Sequence, residues 1–317
     1  MTTNRRGTAL LAVLWLSAAL SAIAFTVANS VRSETERTAT DIAGLRARYL
    51  ASAAIDRALL YIQWGGKYFQ VPTPMLKFNF PTGIANVEII PETAKLNVNS
   101  ATPIELRNLV LVLTGDLARA QALAAAIVDW RSPGAVGAPV GLNQQYLSLT
   151  PTFPPRHASF QEIEELLLVP GVTTDLFYGS YTRDDQGRLV RHAALRDCLS
   201  IYGSKNFIDI NTAEPALMQA IGVSPEAVTA IVARRLMSPI VTAEQLAPFM
   251  AAGPGAPRLS VVPSSIATLR ATARPVTENG QLSDVRRSAS AMVKFLGPEW
   301  DPPFHIMRWY DNIVAPQ

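Results

Sequence analysis

Little in this chain is equipped for chemistry. Its 317 residues include one cysteine, Cys198, and three histidines, His157, His192 and His305. A lone cysteine closes no intramolecular disulfide, even in an oxidising compartment, and reads as a small buried apolar residue. The histidines are widely separated, none has HExxH spacing, and no Gly-x-Ser-x-Gly elbow occurs. Metalloprotease and serine-hydrolase readings therefore have no motif to rest on, and the chain is read as a non-enzyme. A net charge of +3 with a pI near 9.1 is mild. The basic residues are scattered, with no run that would track a nucleic-acid backbone.

Two further absences are local. Thr8 to Val31 carries no charge, and between Thr8 and Gln63 there is no proline and only one glycine, Gly44. As a helix, the uncharged run would be about 36 Å long, enough to cross a bilayer core. Arg5 and Arg6 precede it, and mixed charges (Arg32, Glu34, Glu36, Arg37) follow it. The positive-inside bias then puts Met1 in the cytoplasm and everything after Val31 across the membrane. Ala22-Ile23-Ala24 also fits the cleavage site of a secretory signal. Against that, the helical pattern does not stop at Ala24. Ile42, Leu45, Tyr49, Ala53, Leu59 and Leu60 recur at helical spacing, with Arg46, Arg48, Asp56 and Arg57 between them. One helix of roughly 80 Å is expected, closed by Trp64-Gly65-Gly66.

Beyond the helix, 23 prolines and 18 glycines in the chain keep the elements short. Residues 67–83 read as loop or short edge strands, and Asn86 to Pro91 as a strand. From Lys95 an internal repeat follows. Leu96 to Pro103 (LNVNSATP) matches Ile208 to Pro215 (IDINTAEP), and Ala126 to Arg131 (AIVDWR) matches Ala230 to Arg235 (AIVARR). Ser159 to Leu166 (SFQEIEEL) echoes Val241 to Leu246 (VTAEQL). Each copy is expected to run as an extended lead-in, a helix, a turn, a second helix and a capped third one. Ser100 and Thr212 are the expected N-caps, with a proline in the first turn, Ser224-Pro225 repeats the signal, and Ser159 with Glu162 has capping-box spacing. Tyr181 to His192 reads as a hairpin turning at Asp185-Gln186-Gly187. Strands are expected at 266–273, 287–295 and 304–310. The order is that of an α+β domain interrupted by a helical lobe.

The second copy also has the outline of a helix-hairpin-helix unit, which grips phosphate with hairpin amides. Its turn, Gly222-Val223-Ser224, keeps one glycine of the usual two, beside Arg234-Arg235. The first copy has Thr114-Gly115-Asp116, whose aspartate would repel phosphate. The alternative function is thus a membrane-anchored periplasmic DNA-binding protein, set against a structural role for paired helices.

A basic leader ending in Gly7, an apolar helix that turns amphipathic, the NVNSA and INTA lead-ins, Asp129-Trp130, Glu164 to Gly171 (EELLLVPG) and a C-terminal sheet together resemble the minor pseudopilin K family of type II secretion (general secretion pathway protein K). The resemblance implies a pilin-like long N-terminal helix plus antiparallel sheet, with a large all-α insert of two helix-hairpin-helix/SAM-like repeats. Its divisions fall at a leader (1–7), a transmembrane and amphipathic helix (8–64), an α+β core (65–94 and 258–317) and the insert (95–257, repeats near 95–175 and 207–252). It implies cleavage between Gly7 and Thr8 by a prepilin peptidase, with Arg5 and Arg6 as cytoplasmic leader charges. The fifth mature residue is then Ala12, where most pseudopilins carry a glutamate; a carboxylate in hydrocarbon is costly unless it meets a partner amine. It implies an inner-membrane, single-pass subunit at the tip of the periplasmic pseudopilus. Its partners are minor pseudopilins I and J, the major pseudopilin, the inner-membrane assembly platform and the peptidase. Calcium has been associated with the family's large domain. Here Asp129, Asp184 and Asp185 are the candidate ligands, and 131–145 contains no carboxylate.

Overall fold

The computed structural model describes residues 6–68, 75–133, 144, 146–148, 152–261, 264–277, 279–297 and 299–311. Helix α1 (Arg6–Tyr68) runs unbroken for 63 residues, about 94 Å at 1.5 Å per residue. It passes through Gly65-Gly66, which the sequence reading took as its stop. A glycine costs a helix only about 1 kcal/mol, and extending a helix already docked is far easier than starting one.

From Gly44 onward α1 presents a face of small residues. Ala47, Ala51, Ala54 and Ala58 are buried with Leu50, Ile55 and Leu59, recurring three or four residues apart on one side. They pack on an antiparallel sheet whose strands, in spatial order, are β1 (Met75–Phe80), β2 (Gly83–Pro91), β9 (Ile266–Pro275), β10 (Arg287–Phe295) and β11 (Phe304–Tyr310). The sheet meets the helix with equally small side chains, Ala85, Ala271, Ala273, Ala289 and Ala291, filled in by Leu76, Phe78, Val87, Leu269 and Val293. Alternation is strict along β9, where every second residue is buried. The opposite face carries Glu88, Thr268, Arg270 and Thr272. Gly44 lies under Arg287: a Cβ there would stand 3.3 Å from its guanidinium.

Between β2 and β9 the chain makes a long excursion with its own core, built on Leu106, Leu109, Leu123, Ile127, Trp130, Phe177, Leu199, Leu217 and Ile231. In order it contains β3 (Leu96–Asn97), α2 (Pro103–Thr114), α3 (Leu117–Arg131), a 3-10 helix (Ile163–Leu168), α4 (Thr174–Tyr178), β4 (Tyr181–Arg183), β5 (Leu189–Arg191), α5 (Leu195–Cys198), β6 (Leu199–Ser200), β7 (Ile208–Asp209), α6 (Pro215–Ala220), α7 (Pro225–Met237), α8 (Ala243–Leu246) and β8 (Leu259–Ser260). Two short parallel pairs, β3 with β6 and β7 with β8, tie each lead-in to the segment that closes its unit.

The two units are held by matching bonds. Asn99 Nδ2 donates to the Phe160 carbonyl (2.9 Å) and its Oδ1 accepts from the Phe160 amide (2.8 Å). Asn211 does the same with Ile240, both bonds at 2.8 Å. Arg131 donates to the Val98 and Ala101 carbonyls, and Arg235 to those of Ile210 and Ala213. The sequence echo is therefore an echo of geometry.

The caps differ from the expected ones. Thr102, not Ser100, caps α2 in a full capping box with Glu105, with Pro103 at the first helical position. In the second unit the residue before Pro215 is Glu214, and Thr212 instead bonds Asp209 through its amide and hydroxyl. The polar lead-in folds into its own turn first, and the proline sets where the helix begins. Ser224 caps α7 as expected. The third helix of the first copy is a 3-10 helix introduced by Glu162 and Glu165, not by Ser159.

Candidate functional site

Among the described residues no three His, Cys, Asp or Glu side chains converge as a metal site. Cys198 is fully buried, and burial, first of all, pushes its thiol well up. What the molecule offers is a membrane-length helix, a head, and the joint between the head's two parts.

Of the residues expected at the processing site, Arg5 lies outside the described residues, while Arg6, Gly7, Thr8 and Ala12 are in helical backbone. Leu10 to Val31 is exposed: Leu14 at 59%, Trp15 at 74% and Phe25 at 68%. This helix is long and apolar enough to cross a membrane, and none of its most apolar window is buried inside the protein.

The calcium candidates are not brought together. Asp184 is consumed by the β4–β5 hairpin, accepting from the Gln186 amide (2.9 Å), the Arg188 amide (2.8 Å) and Arg188 Nε (2.8 Å). Asp185 stands in the same turn. Asp129 ends α3 with Oδ2 buried and without a partner, as is the hydroxyl of Tyr146. Burial, and then the Asp129 charge, raise the Tyr146 hydroxyl's pKa. Two carboxylates in one turn and a third on another element are not the convergent oxygen shell that calcium requires.

The hairpin turns are equally informative. In the second unit the Ser224 amide donates to the Ala252 carbonyl (2.8 Å), and the Gly255 amide reaches the Gly222 carbonyl (3.5 Å). The Gly253-Pro254-Gly255 segment thus sits on the turn, and a Cβ at Gly253 would stand 2.2 Å from the Gly222 oxygen. In the first unit the Gly115 amide donates to Leu111 and the Asp116 amide to the Thr114 hydroxyl. Asp116 itself caps Arg119. The amides needed to hold phosphate are spent inside the chain.

The joint between sheet and insert was not visible in the sequence. Glu92, fully buried just past β2, accepts from Thr268 Oγ1 on β9 (2.8 Å) and from Ser200 Oγ on β6, with Lys95 Nζ at 3.6 Å. Arg308 on β11 pairs with Glu162 of the insert. The partners lie up to 176 residues apart, so no local pattern announces them.

The architecture is thus an extended apolar helix laid along an antiparallel sheet by its second half, with a helical lobe carried inside the sheet. Residues 84–178 match the family described as type II secretion system (T2SS), protein K. No curated protein matches the chain. Among solved structures it is similar to a chain of the GspK-GspI-GspJ complex from the enterotoxigenic Escherichia coli type 2 secretion system. The TM-score is 0.54 at 16% identity, covering 90% of this chain and 100% of that one; at that identity the likeness speaks to the fold. Residues 84–178 are thus similar to the protein K domain of type II secretion, and the chain as a whole shares the fold of that solved chain.

Proposed function

We propose that this subunit sits at the tip of the periplasmic pseudopilus and initiates or caps its assembly for protein export across the outer membrane. The observation that carries the reading is the pairing of an exposed membrane-length helix with a head enlarged by the insert between β2 and β9. A head of that bulk is hard to repeat at pilin spacing. In the same reading the N-terminus is cytoplasmic, a prepilin peptidase cuts between Gly7 and Thr8, and Ala12 leaves the usual carboxylate position empty. A filament end needs no such carboxylate, because nothing is added beyond it. The similar chain was crystallised with GspI and GspJ, which supports their counterparts as partners here; the major pseudopilin and the assembly platform follow from the tip role. The matched Asn and Arg bonds support treating the insert as a duplicated helix-hairpin-helix/SAM-like unit used for packing, without enzymatic activity. The DNA-binding alternative is not favoured, since its hairpin amides are already bonded.

The test is N-terminal sequencing of the protein from membranes, which should begin at Thr8. Ala12→Glu should impair filament initiation and secretion. A mature start at Phe25 or Met1, or secretion indifferent both to that change and to loss of the protein, would overturn the reading.

A further inference from the structure

The head has two cores, and among the described residues they share no side chain. One lies between α1 and the sheet, around Ile55, Phe78 and Leu269; the other fills the insert, around Leu109, Trp130 and Ile231. The chain leaves the sheet at Pro91 and returns to it at Ile266, on neighbouring strands where Pro91 stands opposite Ala267. Two crossings side by side define an axis. Glu92 sits on that axis, fully buried, and holds both parts: it accepts from Thr268 Oγ1 of the sheet (2.8 Å) and from Ser200 Oγ of the insert.

Away from the axis the insert does not seat on the sheet. A cleft of about 510 Å³ separates its Asp197, Glu214 and Arg235 from Glu88, Arg270 and Ser290 on the polar face of the strands. Arg308 of β11 and Glu162, just before the insert's 3-10 helix, both line this cleft and pair across it. Thr268, Met292 and Arg308 lie in one row across β9, β10 and β11. At the spacing of strands, that row puts Arg308 about 10 Å from Thr268 and the axis. The two side chains of the pair are 33% and 40% exposed, so water and salt screen them. Such a pair moves an equilibrium by no more than about fivefold. Parts of a chain that meet through polar contacts, without a common apolar core, move relative to one another.

We propose that the insert is a hinged lobe that turns about the Glu92 joint, with the Arg308–Glu162 pair as the latch that holds it closed over the polar face of the sheet. Breaking the pair lets the lobe swing outward and opens the cleft. The hinge rests on the geometry of the joint and does not depend on placing the subunit at a filament tip.

The experiment measures a distance across the cleft in the full-length protein in detergent micelles, by pulsed electron spin resonance. Nitroxides are carried at Lys77→Cys on β1 and Met237→Cys at the end of α7, next to the cleft residues Met75 and Leu236. Both positions are exposed, Met237 at 86%, whereas Cys198 is fully buried and out of reach of the label. The parent should show a main short distance and a minor longer one. Arg308→Gln and Glu162→Gln should each raise the ratio of long to short by up to about fivefold with Tm unchanged. Salt at about 0.5 M should do the same to the parent and nothing more to the variants. The double reversal, Arg308→Glu with Glu162→Arg, should restore the parent distribution. A single distance indifferent to all these changes would overturn the proposal. So would a longer distance that the double reversal does not restore, or one that comes with a fall in Tm of more than about 3 °C, the scale of a full kcal/mol, because the pair would then hold the fold and not a hinge.

Discussion

The most exacting test of the insert's construction is Asn99. Its side-chain amide substitutes for a neighbouring strand, giving and taking one bond each with Phe160 at 2.9 and 2.8 Å. Truncation to alanine removes two bonds worth about 0.5–1.5 kcal/mol each and leaves a partly buried N–H and C=O needing new partners. Together these give an expected loss of about 2–4 kcal/mol. Asn99→Asp still accepts from the Phe160 amide but donates nothing to the carbonyl, so it should cost at least as much as alanine. Asn211→Ala, which cuts the same pair of bonds at Ile240, should fall in the same range. Urea titration followed by near-ultraviolet absorption of the Trp130 cluster would show lower midpoints at unchanged m-value. If both Asn99 variants stayed within 0.5 kcal/mol of the parent, or Asp proved milder than Ala, the side chain would not be acting as a strand surrogate.

Other consequences can be measured in the same way. Burial pushes the Glu105 carboxyl up, but the Thr102 amide and hydroxyl and the Arg258 guanidinium outweigh it and hold the pKa below the usual 4.5. A lowered folded-state value means that the contribution is present above about pH 4.5 and is lost as pH falls through the folded value. Glu105→Gln should therefore cost about 1 kcal/mol at pH 7, after allowing for solvent screening, and the gap in Tm should close on acidification to pH 3. Ala271→Leu, at the helix–sheet contact where small side chains meet, should destabilise by about 1–3 kcal/mol through overpacking; a neutral result would mean the contact is looser than described. Gly253 has φ +124°, and an added Cβ would meet the Gly222 oxygen at 2.2 Å, so Gly253→Ala should lower Tm by several degrees and Gly115→Ala, with open space around it, by clearly less.

Much of the fold was legible because its signals are local. The strands at 287–295 and 304–310 were read with the bounds observed, and 266–273 fell short by two residues, since alternation and turn residues fix them directly. The misplaced features have specific reasons. Ser100 and Thr212 are good cap residues by type, yet Asn97 and Asp209 close an earlier turn, accepting from the Asn99 and Thr212 amides, and push each helix start to the proline. Strand β1 was read only as loop or short edge strand because it is a six-residue edge whose assignment depends on its pairing with β2. Nothing local in the sequence marks Glu92 for burial, because its partners lie more than a hundred residues away.

The register of β2 and β9 has a further meaning. Ile90 stands opposite Thr268 and Pro91 opposite Ala267, so the excursion leaves and rejoins the sheet at points roughly 5 Å apart. Cut it away, and strands β1, β2, β9, β10 and β11 become an up-and-down meander that needs only a tight turn to join its second strand to its third. The lobe is in effect grafted onto the tip of a hairpin. A minimal protein made by replacing it with a short loop would keep every pairing of the five-stranded sheet, and lobes of other design could be exchanged at the same two points.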